Sequence, residues 1–331
     1  MSTESAELPS ASLYTRYIGR RRSPWTMLGI GLLLVAAPLL MAWLDEVLAD
    51  FLGQDTWRLL MLPPVIILYI LIIAPIMVRA EEGVLRAFRP VVKIGDDEFA
   101  RVVAEASQLN PIVEAVAFGL GMALGLWSGR EWAVEHGVTW LGVYLPLSIG
   151  LMYGLLFWTI YAVVASTRLN TALHHQPLEV DIFDLAPFKP IGRQSLVSAL
   201  AFIGGLVLSM IFSFRWSSIY SWEFWLILTV MVIVPVLIFF LSMRDTHRVL
   251  AAEKKRELAL VQERVVRSSR LLLETSETSR DAGMLGAEVN ALAAYEERLL
   301  RASTWPYDTA MLRTLVFSVI IPGGAALARA V

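Results

Sequence analysis

The chain has 331 residues, 56% apolar and only 18% charged, with a formal net charge of -2. Together with a mean hydropathy of +0.61, this composition argues against a water-soluble globular domain and for residence in a lipid bilayer. The lack of a global basic field argues against nucleic acid as a partner, and the absence of cysteine excludes disulfides, thiolate metal sites and cysteine nucleophiles.

Residues 1–24 are polar and then basic, ending in Arg20, Arg21 and Arg22. The apolar stretch that follows is too long for a signal-peptide core and has no small-residue cleavage site, so it reads as a retained first span. A helix that crosses the hydrocarbon needs about 20 mostly apolar residues. Six stretches reach or approach that length: Trp25 to Leu44, Leu59 to Val78, Ile112 to Ser128, Leu141 to Ser166, Gln194 to Phe214 and Phe224 to Met243. They lack the alternation of barrel strands, and backbone groups in lipid must pair internally, so the expected fold is an all-α polytopic membrane protein. Its parts are a cytosolic tail (1–24), a six-helix transmembrane domain (25–243), a cytosolic helical hairpin (244–304) and a C-terminal membrane-associated helix (305–331).

Orientation follows from the cations. With the N-terminus in the cytosol, the three external connections carry only Arg58, Arg130 and Arg215 of the 28 Lys and Arg. Tryptophans agree, since Trp43, Trp57, Trp127, Trp132, Trp140, Trp216, Trp222 and Trp225 fall at the outer ends. The expected location is the inner membrane of a prokaryotic cell.

Pro38, Pro63, Pro64, Pro75, Pro146 and Pro235 lie within spans and can kink them. Gly121 with Gly125, and Gly150 with Gly154, form G-x-x-x-G patterns on successive spans, which suit close helix packing within one subunit or a seam between subunits. Glu114 is the nearest approach to an intramembrane carboxylate. Asn110 and Pro111 before it are start signals for a helix, which places Glu114 near its first turn, favoured by the helix dipole.

The stretch 173–196 holds His174, His175, Glu179, Asp181 and Asp184, a set that hard or imidazole-binding metals can use. Adjacent histidines, however, lack the i and i+4 geometry of a helical zinc pair. The alternative is an ordered connector and docking surface. Ile182, Phe183, Leu185 and Phe188 then lie along the membrane surface, Asp181 and Asp184 cap backbone donors or pair with Lys189 and Arg193, and Gly192 loosens the turn into the fifth span.

Glu81, Glu82 and Arg86 in "EEGVLR" resemble the E-E-x-x-x-R motif of glutamic intramembrane proteases over six residues. The companion F-x-x-x-H pattern is absent, because none of His136, His174, His175 and His247 follows a Phe by four. A solvated helix end with i to i+4 pairing is the competing reading.

Beyond the sixth span, Leu258, Val261, Val265 and Leu272 keep three-and-four spacing, and after a break Leu285, Val289, Leu292 and Leu299 form a second stripe. Trp305, Pro306 and Asp308 in "WPYD" signal a turn. The apolar helix after it, which contains Pro322, is short for a span. It reads equally as a re-entrant or gating helix and as a seventh span. The 180–196 loop and "WPYD" are similar to segments of uncharacterised prokaryotic multi-pass membrane proteins, a resemblance that implies no activity.

No cofactor is expected. The function expected is an oligomeric channel or passive transport unit with an assembly or gating hairpin. A scaffold docking a cytosolic partner, and an intramembrane enzyme using Glu81 and Glu82 or the histidine pair, are the alternatives. The central parts of the spans lack ionisable residues, which disfavours an internal proton relay.

Overall fold

The computed structural model describes residues 13–19, 22–49, 56–107, 109–176, 181–213, 222–274 and 279–328. All regular structure among them is helical. Among the described residues five stretches are long and apolar enough to cross a membrane: Pro24–Leu44, Trp57–Phe88, Asp96–Val134, Trp140–Leu173 and Ala186–Phe212.

The helices are α1 (Leu13–Tyr17), α2 (Pro24–Leu44), α3 (Thr56–Phe88), α4 (Asp96–Ser107), α5 (Pro111–His136), α6 (Trp140–His174), α7 (Lys189–Ser213), α8 (Trp222–Glu274), α9 (Ser279–Arg301) and α10 (Thr309–Ala328). Their ends follow local chemistry. Ser23 and Asn110 accept from the backbone of Thr26 and Ile112, each with proline at the start of the helix. Gly137 ends α5 at φ 64°, a conformation that glycine adopts without steric cost. Pro38, Pro63, Pro64, Pro75, Pro146 and Pro235 all lie inside continuous helices.

The sixth expected span lies within α8, and there is no break at the 243/244 boundary. Those 53 residues form one rod, roughly 80 Å long at 1.5 Å per residue, against a hydrocarbon thickness of about 30 Å. The side chains of its first turns lie outside the described residues. Its C-terminal half pairs with α9 as an antiparallel hairpin, and residues 275–278 between them lie outside the described residues. Val261 and Leu299 are buried between the two helices. Around them, the Tyr295 hydroxyl donates to Glu257 at 3.0 Å and the Gln262 amide donates to Glu296 at 2.8 Å.

Within the bundle α5 pairs with α6, and α3 with α7, which in turn lies against α8. The Tyr69 hydroxyl of α3 donates to the Ala201 carbonyl of α7 at 2.8 Å, and its ring lies over Gly204. A core of Val84, Phe88, Leu173, Phe188, Ile191, Met243 and Leu250 joins α3, α6, α7 and α8 at the end from which the hairpin projects. This burial welds the root of the hairpin to the bundle.

Candidate functional site

The 173–196 connector is an intramolecular clamp. His174 is the last residue of α6, its side chain outside the described residues, and His175 is an exposed cap. Glu179 lies outside the described residues. Asp181 accepts from the Phe183 amide at 2.9 Å and Asp184 from the Ala186 amide at 3.0 Å, opening the 3-10 turn Ala186–Phe188. Both carboxylates thus cap backbone donors, while Lys189 and Arg193 stand exposed on the first turns of α7. Among the described residues no group of three or more His, Asp or Glu gathers.

The apolar residues of the connector meet protein. Ile182 is buried against Val261 and Leu299 of the hairpin. Phe183 meets Tyr295 edge-on at 5.5 Å and carries the Arg298 guanidinium 4.6 Å above its ring. Phe188 meets Phe88 edge-on at 5.7 Å. Protein thus covers apolar residues of the connector that its sequence suggests lie along the membrane surface. Burial against a rigid hairpin removes the same apolar area from water and also satisfies the aromatic faces.

The turn before α10 closes the same joint. Trp305 stacks on His247 with ring centroids 4.0 Å apart and planes 9° from parallel, and it meets Phe240 edge-on at 5.9 Å. The carbonyl of Pro306 lies against Gly192, where any Cβ would strike it. Gly192 is thus a packing requirement; it does not loosen the turn. Asp308 accepts from the Met311 amide at 2.8 Å and starts α10. Pro322 falls inside α10, with its side chain outside the described residues. Lys254, which the sequence does not single out, donates to the carbonyls of Leu300 and Ala302, both at 2.8 Å, and closes the C-terminal end of α9.

The glycine patterns act within the chain. A Cβ on Gly125 would come within 2.7 Å of both the Gly150 Cα and the Ile149 carbonyl oxygen. One on Gly121 would strike the Tyr153 carbonyl, and one on Gly154 would come within 2.9 Å of the Phe118 ring. Gly129 extends the row, and a Cβ on it would come within 2.9 Å of the Pro146 Cα. Its four-residue spacing from Gly125 is the signal that sequence reading missed. Backbones of α5 and α6 therefore touch along three turns, the geometry small residues permit in lipid.

Two carboxylates serve helices far away in sequence. Asp45, just after α2, accepts from the amides of Trp140 and Leu141 at 3.0 and 2.7 Å and holds the start of α6. Glu114 is 1% exposed and accepts from the amides of Leu13 and Tyr14, each at 3.2 Å, and from the Trp158 indole at 3.4 Å. It does sit in the first turn of α5, but its larger role is to cap α1 and dock it on α5 and α6.

That docking completes a cavity. A partly open cavity of about 500 Å³ lies between α1, α3, α4, α6 and α7 at the hairpin end of the bundle. Tyr14, Glu81, Glu82, Ser166, Gln194 and Ser198 are among its polar groups, with Thr15 and Ser107. Burial pushes the Tyr14 hydroxyl up to about 12, so it stays a neutral donor. Glu82 faces Arg86 at 3.4 Å, the i to i+4 pair expected of a helix end, exposed on both sides. Gln194 is 7% exposed and its carbonyl accepts from Asn170 at 3.3 Å. The carboxylate pair that resembles a protease motif thus lines a chamber, and α1 forms one wall of it. No family model matches the chain, and no curated protein or solved structure matches it either.

Proposed function

We propose that this chain is an inner-membrane protein of six spans, its N-terminus in the cytosol, that takes a small solute into the chamber beside α1 and serves as a passive transport unit. The observation that carries the reading is the chamber itself. It has the volume of a small-molecule site, predominantly apolar walls and a few convergent polar groups, and it lies between helices of a bundle. The clamp at the hairpin root supports a bracing role for α8 and α9, since the connector, the turn before α10 and the hairpin all pack on one another. The glycine rows are engaged within one chain, so a homo-oligomer would have to use another face.

The chain has no cysteine, so Ser166→Cys creates its single thiol inside the chamber. A membrane-impermeant thiol reagent is expected to label it in inside-out vesicles and to leave it unlabelled in right-side-out ones. Labelling from the outer face alone, or from neither, would overturn the reading. A second reading, docking of a cytosolic protein partner, is favoured by Leu273 and Met284 near the free end of the hairpin, 80% and 63% exposed. Replacing both with Asp should then abolish partner capture while membrane insertion persists, and unchanged capture would remove that reading.

A further inference from the structure

The chamber's chemistry narrows what can enter it. Glu81 lines it without a cation or a hydrogen-bond donor among the described residues, whereas its neighbour Glu82 is paired with Arg86. Arg16 and Arg79 line a separate adjoining recess with Glu82 and not the chamber. An anionic solute would therefore find no cation among the described residues that line the chamber.

A second observation points to a bound molecule. The Tyr14 hydroxyl is buried, lines the chamber and has no hydrogen-bond partner among the described residues. A hydroxyl so buried normally has a partner, and here what remains to supply one is whatever occupies the chamber. The walls between these groups are Met77, Val103, Ala162 and Leu169, all apolar. A bare metal ion finds too few oxygens, because no three His, Asp or Glu converge among the described residues. A solute that brings its own apolar body satisfies both the walls and Glu81.

Resting on the reading of the chamber as a solute site, we infer that its ligand is a singly charged amphiphilic organic cation. The cationic head lies beside Glu81 and the apolar body against Met77, Val103 and Leu169. One unpaired carboxylate sets the charge at one, and about 500 Å³ sets the size at that of a drug-like amine or quaternary ion.

Tetraphenylphosphonium and tetraphenylborate, alike in shape and opposite in charge, test this with the full chain in detergent micelles by equilibrium dialysis. The phosphonium is expected to bind saturably, and Glu81→Gln to weaken it at least tenfold. Glu82→Gln is expected to change it less than threefold, and the borate is expected not to bind. Should Glu81→Gln fail to fold, Ser198→Leu, which narrows the chamber without altering its charge, is expected to weaken phosphonium binding at least tenfold.

Equal binding of the two ions, or undiminished binding by Glu81→Gln, would overturn the cation assignment. So would undiminished binding by Ser198→Leu if that variant is used. If Ser166→Cys is still labelled from the cytosolic side, the solute-site reading survives that failure. If Ser166→Cys is unlabelled as well, both are overturned.

Discussion

The α5–α6 pair and the hairpin end of the bundle meet the same problem in opposite ways. Between α5 and α6 the contact is backbone on backbone, with Gly121, Gly125 and Gly129 facing Tyr153, Gly150 and Pro146 and no space left over. At the hairpin end, aromatic rings, carboxylates and a lysine hold elements far apart in sequence, and a chamber remains beside them. In lipid, no hydrophobic drive separates helix from surroundings, so close packing needs small residues. Near water, larger side chains with polar tips do the joining, and their shapes leave voids that chemistry can use.

That contrast breaks first at Gly125. Gly125→Leu would push a side chain into the Gly150 backbone and the Ile149 carbonyl, neither of which can rotate away. A loss of about 3 kcal/mol or more is expected, read as a lowered unfolding midpoint in detergent. The next largest effect is expected at the carboxylate that docks α1. Glu114→Ala leaves the amides of Leu13 and Tyr14 without their acceptor in a buried setting, a cost of about 2 kcal/mol. Because α1 carries the loss, amide hydrogen exchange should speed up across 13–17 while the unfolding midpoint moves little.

Lys254→Met should be milder still. It removes two hydrogen bonds that close α9, about 1 kcal/mol, and limited proteolysis should accelerate near 300–304 with the chamber unaffected. The smallest effect sharpens the comparison. Gly119 has nothing within 4 Å of where a Cβ would go, so Gly119→Ala should change stability by less than about 1 kcal/mol, in the stabilising direction if at all. Equal damage from Gly119→Ala and Gly125→Ala would show that composition, and not contact, makes the glycines matter.

Much of this was legible from residue order. Apolar runs placed five helices apolar enough to span, three-and-four spacing placed the hairpin stripes, and G-x-x-x-G found the tightest contact, though it stopped one glycine short of Gly129. Asp181 and Asp184 were readable as caps, because an Asx turn closes within three residues. Glu114 was readable only as a first-turn acid. Its partners are about 100 residues away, and no local pattern encodes a donor at that separation. The connector's protein contacts were hidden for the same reason. Ile182 and Phe183 are apolar among prolines, and that pattern is the same whether the surface they cover is lipid or Val261 and Tyr295.

The sequence alone determined that this is an all-helical chain suited to a bilayer, where some of its helices start, and which pair could touch backbone to backbone. Those properties depend on hydropathy, periodicity, caps and small residues, all of which act over a few turns. Tertiary structure alone decided that α1 docks through Glu114, that the hairpin clamps its own connector, and that Glu81 and Ser198 share a chamber. Each of these joins groups from different helices, and helix order along the chain does not specify which faces meet in three dimensions.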